Sequence, residues 1–318
     1  MKILITGASG YLGTRLCKKL LEKDWVTELL AVDNLYRGQN TIADFCTDSR
    51  FDFVRADVVE EMDLMDDLYR QADVILPLAG LVGMGICSRF PGRAWAVNSA
   101  VVIDMVLQLR GLKKKIIYPM SISGYGKMTD DRPLDETIIL NPLSVYGKSK
   151  IRGEEVILDD NYVSLRLSTL FGPSPCMRLD LLVNNFTWDA CMRKNITLFE
   201  QDARRCYIHV DDAVDAFIFT IENYDRMQGN AYNIGMQDGN LTKRQLAEVI
   251  AKYTECHIVV AEFAKDNDQR DYFIDVSKAG KLGWKSSRTI DDGVAQLLKL
   301  YSGIDVKSAN VFADNWVI

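Results

Sequence analysis

Short apolar runs separated by amphipathic stretches fill the first half of this chain. Runs at 3–5, 29–32, 51–54, 74–76, 115–118 and 163–167 are too brief for buried helices and read as buried strands. Between most of them apolar residues recur with helical spacing, at about 12–23, 93–110 and 145–158. Strands that alternate with helices predict an α/β protein with a doubly wound parallel sheet covered on both faces. After Phe171-Gly172-Pro173-Ser174-Pro175 the rhythm breaks. Further on, Thr242 and Gln245 form a capping-box pattern before a helix expected over 246–253. We expect a Rossmann-like domain over 1–170, rejoined by a return segment at about 207–235. A smaller mixed α/β lobe would use about 171–206 and 236–318.

The first strand runs into Gly7-Ala8-Ser9-Gly10-Tyr11-Leu12-Gly13, and a helix pattern follows. Glycines at 7, 10 and 13 let the backbone approach a pyrophosphate, and the helix N-terminus offers N–H groups to it. Asp33 ends the second strand twenty residues after Gly13. A carboxylate there accepts from both ribose hydroxyls of adenosine and repels a 2′-phosphate, which favours NAD. Arg37 is close enough in sequence to leave NADP open. Asn34 adjoins the ribose position, and Asp57-Val58, after the third strand, suits the adenine edge.

Tyr146 and Lys150 sit four apart in a helix pattern and project from one face. Ser121 ends the fifth strand, 25 residues before Tyr146. A tyrosine, ordinarily a poor base with a pKa of about 10, becomes one when a cation favours its phenolate. Tyr146 could then take the proton of an alcohol as hydride leaves, with Ser121 holding the same oxygen and Lys150 bonding the nicotinamide ribose.

Together these residues resemble the extended short-chain dehydrogenase/reductase family, and the likeness covers nearly the whole chain. Pro77-Leu78-Ala79-Gly80 stands where that family has its His-Leu-Ala-Ala nicotinamide-side turn, so the resemblance assigns Leu78, Ala79 and Gly80 to the cofactor. Asn98 matches the helix-four asparagine, and Arg205-Cys206-Tyr207-Ile208-His209-Val210 the Arg-Asp-Tyr-Ile-His-Val strand. By the same resemblance Arg205 and Arg270 clamp a nucleotide-sugar pyrophosphate, Arg178 lies near base or sugar, and Ser121 and Ser123 face the sugar. Arginine suits this role because its fork donates to two oxygens. The stretches 116–126, 174–186 and 239–250 are most similar to enzymes that oxidise C4 of a GDP-linked heptose in capsule biosynthesis. Cys176 and Cys206 depart from that pattern, replacing an arginine and a polar residue.

Relatives that dehydrate sugars carry Asp-Glu after the catalytic Ser or Thr, and those that epimerise beside the ketone carry Cys two residues after it. Here Ile122-Ser123 follow Ser121, which disfavours both. The resemblance therefore implies a nucleotide-sugar 4-dehydrogenase, with a 4-epimerase using the same triad as the alternative. A non-catalytic NAD-binding protein is a third reading, disfavoured because both Tyr146 and Lys150 are kept.

Composition narrows the partners. With 48% hydrophobic and 26% charged residues the chain is an ordinary globular protein, and a net charge of −6 argues against nucleic acid. Seven cysteines without a C-x-x-C read as reduced thiols, with neither disulfide frame nor metal site. No signal peptide or membrane span is evident, so we expect a cytoplasmic protein. By resemblance, helices near 93–110 and 145–158 would pair two subunits in a homodimer or larger homo-oligomer.

Overall fold

In the computed structural model, residues 1–38, 41–127, 132–261 and 270–304 are described. Seven parallel strands form the main sheet. In chain order its first six are β1 (Lys2–Thr6), β2 (Glu28–Asp33), β3 (Phe51–Arg55), β4 (Val74–Pro77), β5 (Lys115–Ser121) and β6 (Val163–Leu167). Five further strands are β7 (Thr169–Phe171), β8 (Asn195–Leu198), β9 (Arg204–His209), β10 (Ala231–Ile234) and β11 (Asn240–Thr242); the last is β12 (His257–Val260). The spatial order of the main sheet is β3-β2-β1-β4-β5-β6-β10, every neighbouring pair parallel. The sheet has the doubly wound, Rossmann-like form that the alternating pattern predicts.

One apolar cluster covers each face of this sheet. Leu16, Leu20, Ile5, Leu29 and Phe217 belong to the first, and Leu4, Ile75, Met105, Val106 and Tyr118 to the second. The strand order turns between β1 and β4, and the crevice beyond their carboxyl ends is where ligands of such sheets bind. A three-stranded sheet (β11-β9-β7) and a two-stranded one (β12-β8) lie outside it. Helices Leu182–Arg193, Lys243–Ala251 and Ile290–Tyr301 share a third apolar cluster beside them, containing Val183, Leu246 and Leu297.

Two helices differ from their sequence pattern. The stretch 93–110 is broken: α-helix Pro91–Trp95, a π turn over Ala96–Ala100, then α-helix Val101–Leu109. The helix expected over 246–253 begins earlier, at Lys243, and ends at Ala251. Its capping box forms as the sequence reads, Thr242 accepting from the Gln245 N–H while the Gln245 side chain accepts from the Thr242 N–H. Because the box caps the helix at Thr242 itself, Lys243 is the first helical residue.

Candidate active site

A cavity of ≈ 1080 Å³ runs across the carboxyl ends of the main sheet. Gly7, Gly10, Tyr11, Leu12 and Gly13 line one end, and at Gly7 and Gly13 nothing larger fits. Gly7 has φ +70, and a Cβ on it would stand 2.7 Å from the Ala79 nitrogen and 2.8 Å from the Leu78 carbonyl carbon. A Cβ on Gly13 would run into the Gly7 carbonyl oxygen. The loop therefore nests against the Leu78-Ala79-Gly80 turn, and both border the cavity.

Asp33 lies beside that loop. Its carboxylate accepts from the Ser9 N–H at 3.0 Å and the Leu35 N–H at 2.7 Å. Burial pushes its pKa up, and those two N–H groups counter the rise. Asn34 donates to Asp57 at 2.7 Å, and Arg93 closes on the same carboxylate. Burial alone would raise the Asp57 pKa, but the Val59 N–H, Asn34 and Arg93 hold it below the ordinary carboxylate value. Asp33, Asn34, Asp57 and Val58 all line the cavity, as does Arg37. A tight glycine cradle with a carboxylate at the end of the second strand fits a dinucleotide.

Ser121, Tyr146 and Lys150 line the same cavity farther along. Ser121 ends β5, and the chain turns there into a short 3₁₀ helix, Ile122–Tyr125, because the Ser121 hydroxyl accepts from the Ser123 N–H at 3.2 Å. Tyr146 and Lys150 come from helix Val145–Asp159, capped by the Ser144 hydroxyl on the Gly147 N–H at 3.1 Å. That helix sits close on β5 through Gly153, whose absent Cβ would stand 2.5 Å from the Tyr118 hydroxyl.

Electrostatics divide the dyad. Burial raises the Tyr146 pKa, and Cys87 adds to the rise; the Arg178 cation, a hydrogen bond with Ser121 and the Arg270 cation pull it down. Burial lowers the Lys150 pKa to about 7, against an upward pull from Glu154. Glu154 is itself held by Arg166, with Nε–Oε1 at 2.9 Å and both side chains almost fully buried. A tyrosine near cations, beside a lysine that titrates near neutral pH, can exchange a proton with a bound hydroxyl.

Arg178, Arg205 and Arg270 also border the cavity. Arg205 donates to the Arg204 carbonyl at 2.9 Å and to the Arg270 carbonyl, which ties β9 to the segment beginning at 270. Residues 268 and 269 of the Asp268-Gln269-Arg270-Asp271 motif lie outside the described residues.

Two residues expected at the site stand off its lining. Ser123 is 2% exposed, turned inward by the 3₁₀ helix. Asn98, in the π turn, is 1% exposed and works from behind the wall. Its carboxamide donates to the Leu81 carbonyl at 2.9 Å and the Ser149 hydroxyl at 3.1 Å. Tyr125 also packs beneath the cavity, donating to Asn233 at 2.8 Å and accepting from Arg166 at 2.9 Å. His209 is structural: it is fully buried, caps helix Val210–Glu222 through the Asp211 N–H, and burial lowers its pKa.

The sequence reading missed Asp180, Lys243 and the apolar wall of Val82, Met84 and Ile86, all of which line the cavity. Asp180 is two residues from Arg178, and its two carboxylate oxygens face that guanidinium, a pairing that the sequence alone does not announce. Lys243 carried no signal beyond its place after a helix cap.

Solved structures share this fold. The UDP-glucuronic acid 4-epimerase of Bacillus cereus, in complex with UDP-glucuronic acid and NAD, is 22% identical with a TM-score of 0.83, covering 95% of this chain and 99% of that one. The dTDP-glucose 4,6-dehydratase of Bacillus anthracis str. Ames, in complex with NAD, is 19% identical with a TM-score of 0.83, covering 98% and 99%. DesIV, a dTDP-glucose 4,6-dehydratase of Streptomyces venezuelae with NAD and TYD bound, is 20% identical with a TM-score of 0.84, covering 98% and 100%. At these identities the likeness is one of fold. A model of the NAD dependent epimerase/dehydratase family matches residues 3–235, and the chain belongs to that family.

Proposed function

We propose that this protein oxidises C4 of a nucleotide sugar to the 4-keto sugar, with NAD as hydride acceptor. The glycine loop would hold the pyrophosphate, Asp33 and Asn34 the adenosine ribose, Asp57 and Val58 the adenine, and Leu78, Ala79 and Gly80 the nicotinamide side. Lys150 would bond the nicotinamide ribose. NAD supplies the hydride chemistry when bound. The chain's own part is to move the proton: Ser121 orients the C4 hydroxyl and Tyr146 withdraws its proton as the carbon is oxidised. Arg205 and Arg270 would bind the substrate diphosphate.

The observation that carries this reading is the contrast around Ser121. Ser121, Tyr146 and Lys150 face one cavity, whereas Ile122 and Ser123 are 1% and 2% exposed and off its lining. The two residues after Ser121 therefore offer neither acid nor base for expelling water from C5 and C6. The stretches 116–126, 174–186 and 239–250 support a GDP-linked heptose or hexose, in polysaccharide precursor synthesis. A homodimer is consistent with Trp95 and Leu107, which are exposed on the helical stretch 91–109. No described helix is long and apolar enough to cross a membrane.

Mass spectrometry tests the reaction. With a GDP-linked hexose or heptose, the product should lose two hydrogens and no water, and borodeuteride should place deuterium at C4. Loss of water would overturn the reading in favour of a dehydratase. Unchanged mass with inverted C4 would establish the 4-epimerase, which needs the same triad.

A further inference from the structure

One buried arginine is tied to both halves of the proposed Ser121-Tyr146-Lys150 set. Arg166 lies in β6, where its register partners are Met120 of β5 and Asn233 of β10. Its Nε donates to Oε1 of Glu154 at 2.9 Å and its Nη2 to Oε2 at 3.0 Å. The other arm, Nη1, donates to the Tyr125 hydroxyl at 2.9 Å. Water is shut out of the ion pair, whose side chains are 6% and 3% exposed. Neutral groups close the cluster: the Ser164 hydroxyl donates to Glu154 Oε1 at 2.6 Å, and the Tyr125 hydroxyl to Asn233 at 2.8 Å.

The two arms lead to different parts of the site. Glu154 follows Tyr146 and Lys150 at four-residue steps, on the same face of helix Val145–Asp159. Tyr125 is the last residue of the 3₁₀ helix Ile122–Tyr125, which Ser121 caps at its start. The guanidinium therefore spans from the helix that carries the tyrosine and lysine to the turn that carries the serine. Those two pieces also meet directly: a Cβ on Gly147 would stand 3.1 Å from the Ser123 carbonyl oxygen. A guanidinium is planar and holds its donors in a rigid fork, so it sets a distance that a flexible side chain would not.

Stability alone does not call for this arrangement. Burying two charges carries a desolvation cost that their attraction often only repays, and apolar side chains of similar volume can serve as well. What an apolar pair lacks is direction, and here the donors of one group are aimed at two pieces of the site.

We propose that Arg166 and Tyr125 are positioning residues: with Glu154 they hold the Ser121 turn at a fixed distance from Tyr146, so that serine and tyrosine can bind one hydroxyl oxygen together. The proposal rests on the proton-transfer reading above and adds to it the residues that align the serine.

Tyr125→Phe tests it, since only the hydroxyl that Arg166 reaches is lost. Turnover with NAD is read on GDP-mannose, GDP-manno-heptose and UDP-glucose, and either oxidised or C4-inverted product counts. The variant should lose about tenfold in kcat, while KM and NAD affinity stay within about twofold of wild type. In a Ser121→Ala background the same substitution should change kcat by less than about twofold, because the residue it aligns is gone. Arg166→Lys is the second variant, read in its place should Tyr125→Phe not fold. It keeps a cation for Glu154 but not the arm to Tyr125, and it should repeat the kcat loss. Variants that keep kcat within about twofold of wild type overturn the proposal. So does a loss of the same factor with and without the Ser121 hydroxyl, which would make Tyr125 a support for the fold alone. Wild-type protein that turns over none of the three sugars fails at an earlier point: it removes the proton-transfer reading, and the aligning role with it.

Discussion

Lys150 Nζ lies 3.9 Å from the centroid of the Tyr118 ring, and the Tyr118 hydroxyl is shared between the carbonyls of Lys150 and Asn98, at 3.2 and 3.1 Å. One buried tyrosine thus fixes both the backbone and the side chain of the lysine at the proposed site. It also ties helix Val145–Asp159 to the π turn. The lysine is 5% exposed, and burial is what brings its pKa from 10.5 to about 7.

That shift has a sign that can be measured. Between about pH 7 and 10.5 the unfolded chain holds a proton on Lys150 that the folded one has released, so this group's contribution to stability rises with pH across the window. Below about pH 7 the cost of burying the ammonium is felt in full. Lys150→Met removes the group, so in cofactor-free protein its stabilisation over wild type should be largest at pH 6–7 and shrink towards pH 10. Scanning calorimetry over that range reads the difference. A constant offset would mean that Lys150 does not titrate in the folded protein as its burial dictates.

Tyr146→Phe should reduce kcat by roughly 10²–10⁴ while NAD affinity changes little, since the hydroxyl is the proposed proton acceptor. The hydroxyl is also the partner of Ser121, so Ser121→Ala should slow turnover too, by a smaller factor. Steady-state rates and cofactor titration together decide this. A Phe variant keeping more than about a tenth of kcat would remove Tyr146 from the acid–base role.

Asp33→Ser should narrow the preference for NAD over NADP. The carboxylate that receives the Ser9 and Leu35 N–H groups is the one that would repel a 2′-phosphate. Binding of both cofactors to wild type and variant measures it. A wild-type preference for NADP would shift control of the pocket to Arg37.

Gly153→Ala should destabilise the protein by about 1–3 kcal/mol through overpacking. Its new methyl would crowd the Tyr118 hydroxyl at 2.5 Å and the Asn98 carbonyl oxygen at 3.0 Å. Adding Tyr118→Phe removes the first of these contacts and should recover part of the loss. Denaturant unfolding of the single and double variants provides the comparison. A neutral Gly153→Ala would show that the helix can lift from β5 at little cost.

What the sequence makes legible here is local chemistry. The strand-glycine-helix turn, the spacing to Asp33 and the four-residue step from Tyr146 to Lys150 depend on backbone geometry that few residues encode. The π turn was not legible, because apolar spacing marks a helix without marking which carbonyl each N–H reaches. Ser123 was misplaced for a different reason. Motif spacing counts positions along the chain, but a serine hydroxyl accepting from the second N–H after it turns the chain into a 3₁₀ helix. Asp180 faces the cavity through a side-chain pairing with Arg178, and the backbone pattern between 174 and 186 carries neither regular helix nor strand before 182 to announce it.

The position of β10 bears on synthesis of the chain. β6 is buried along its whole length, and β10, more than sixty residues later, is the strand that covers its outer edge. Until residues 231–234 have left the ribosome, Val163–Leu167 is an unpaired strand edge. Such an edge is a template for pairing with another nascent chain. Fragments ending between about 170 and 230 would carry the whole cofactor loop and the whole Ser121-Tyr146-Lys150 set, yet be the most prone to aggregate. Expression of the protein therefore depends on a strand that contributes no residue to the proposed chemistry.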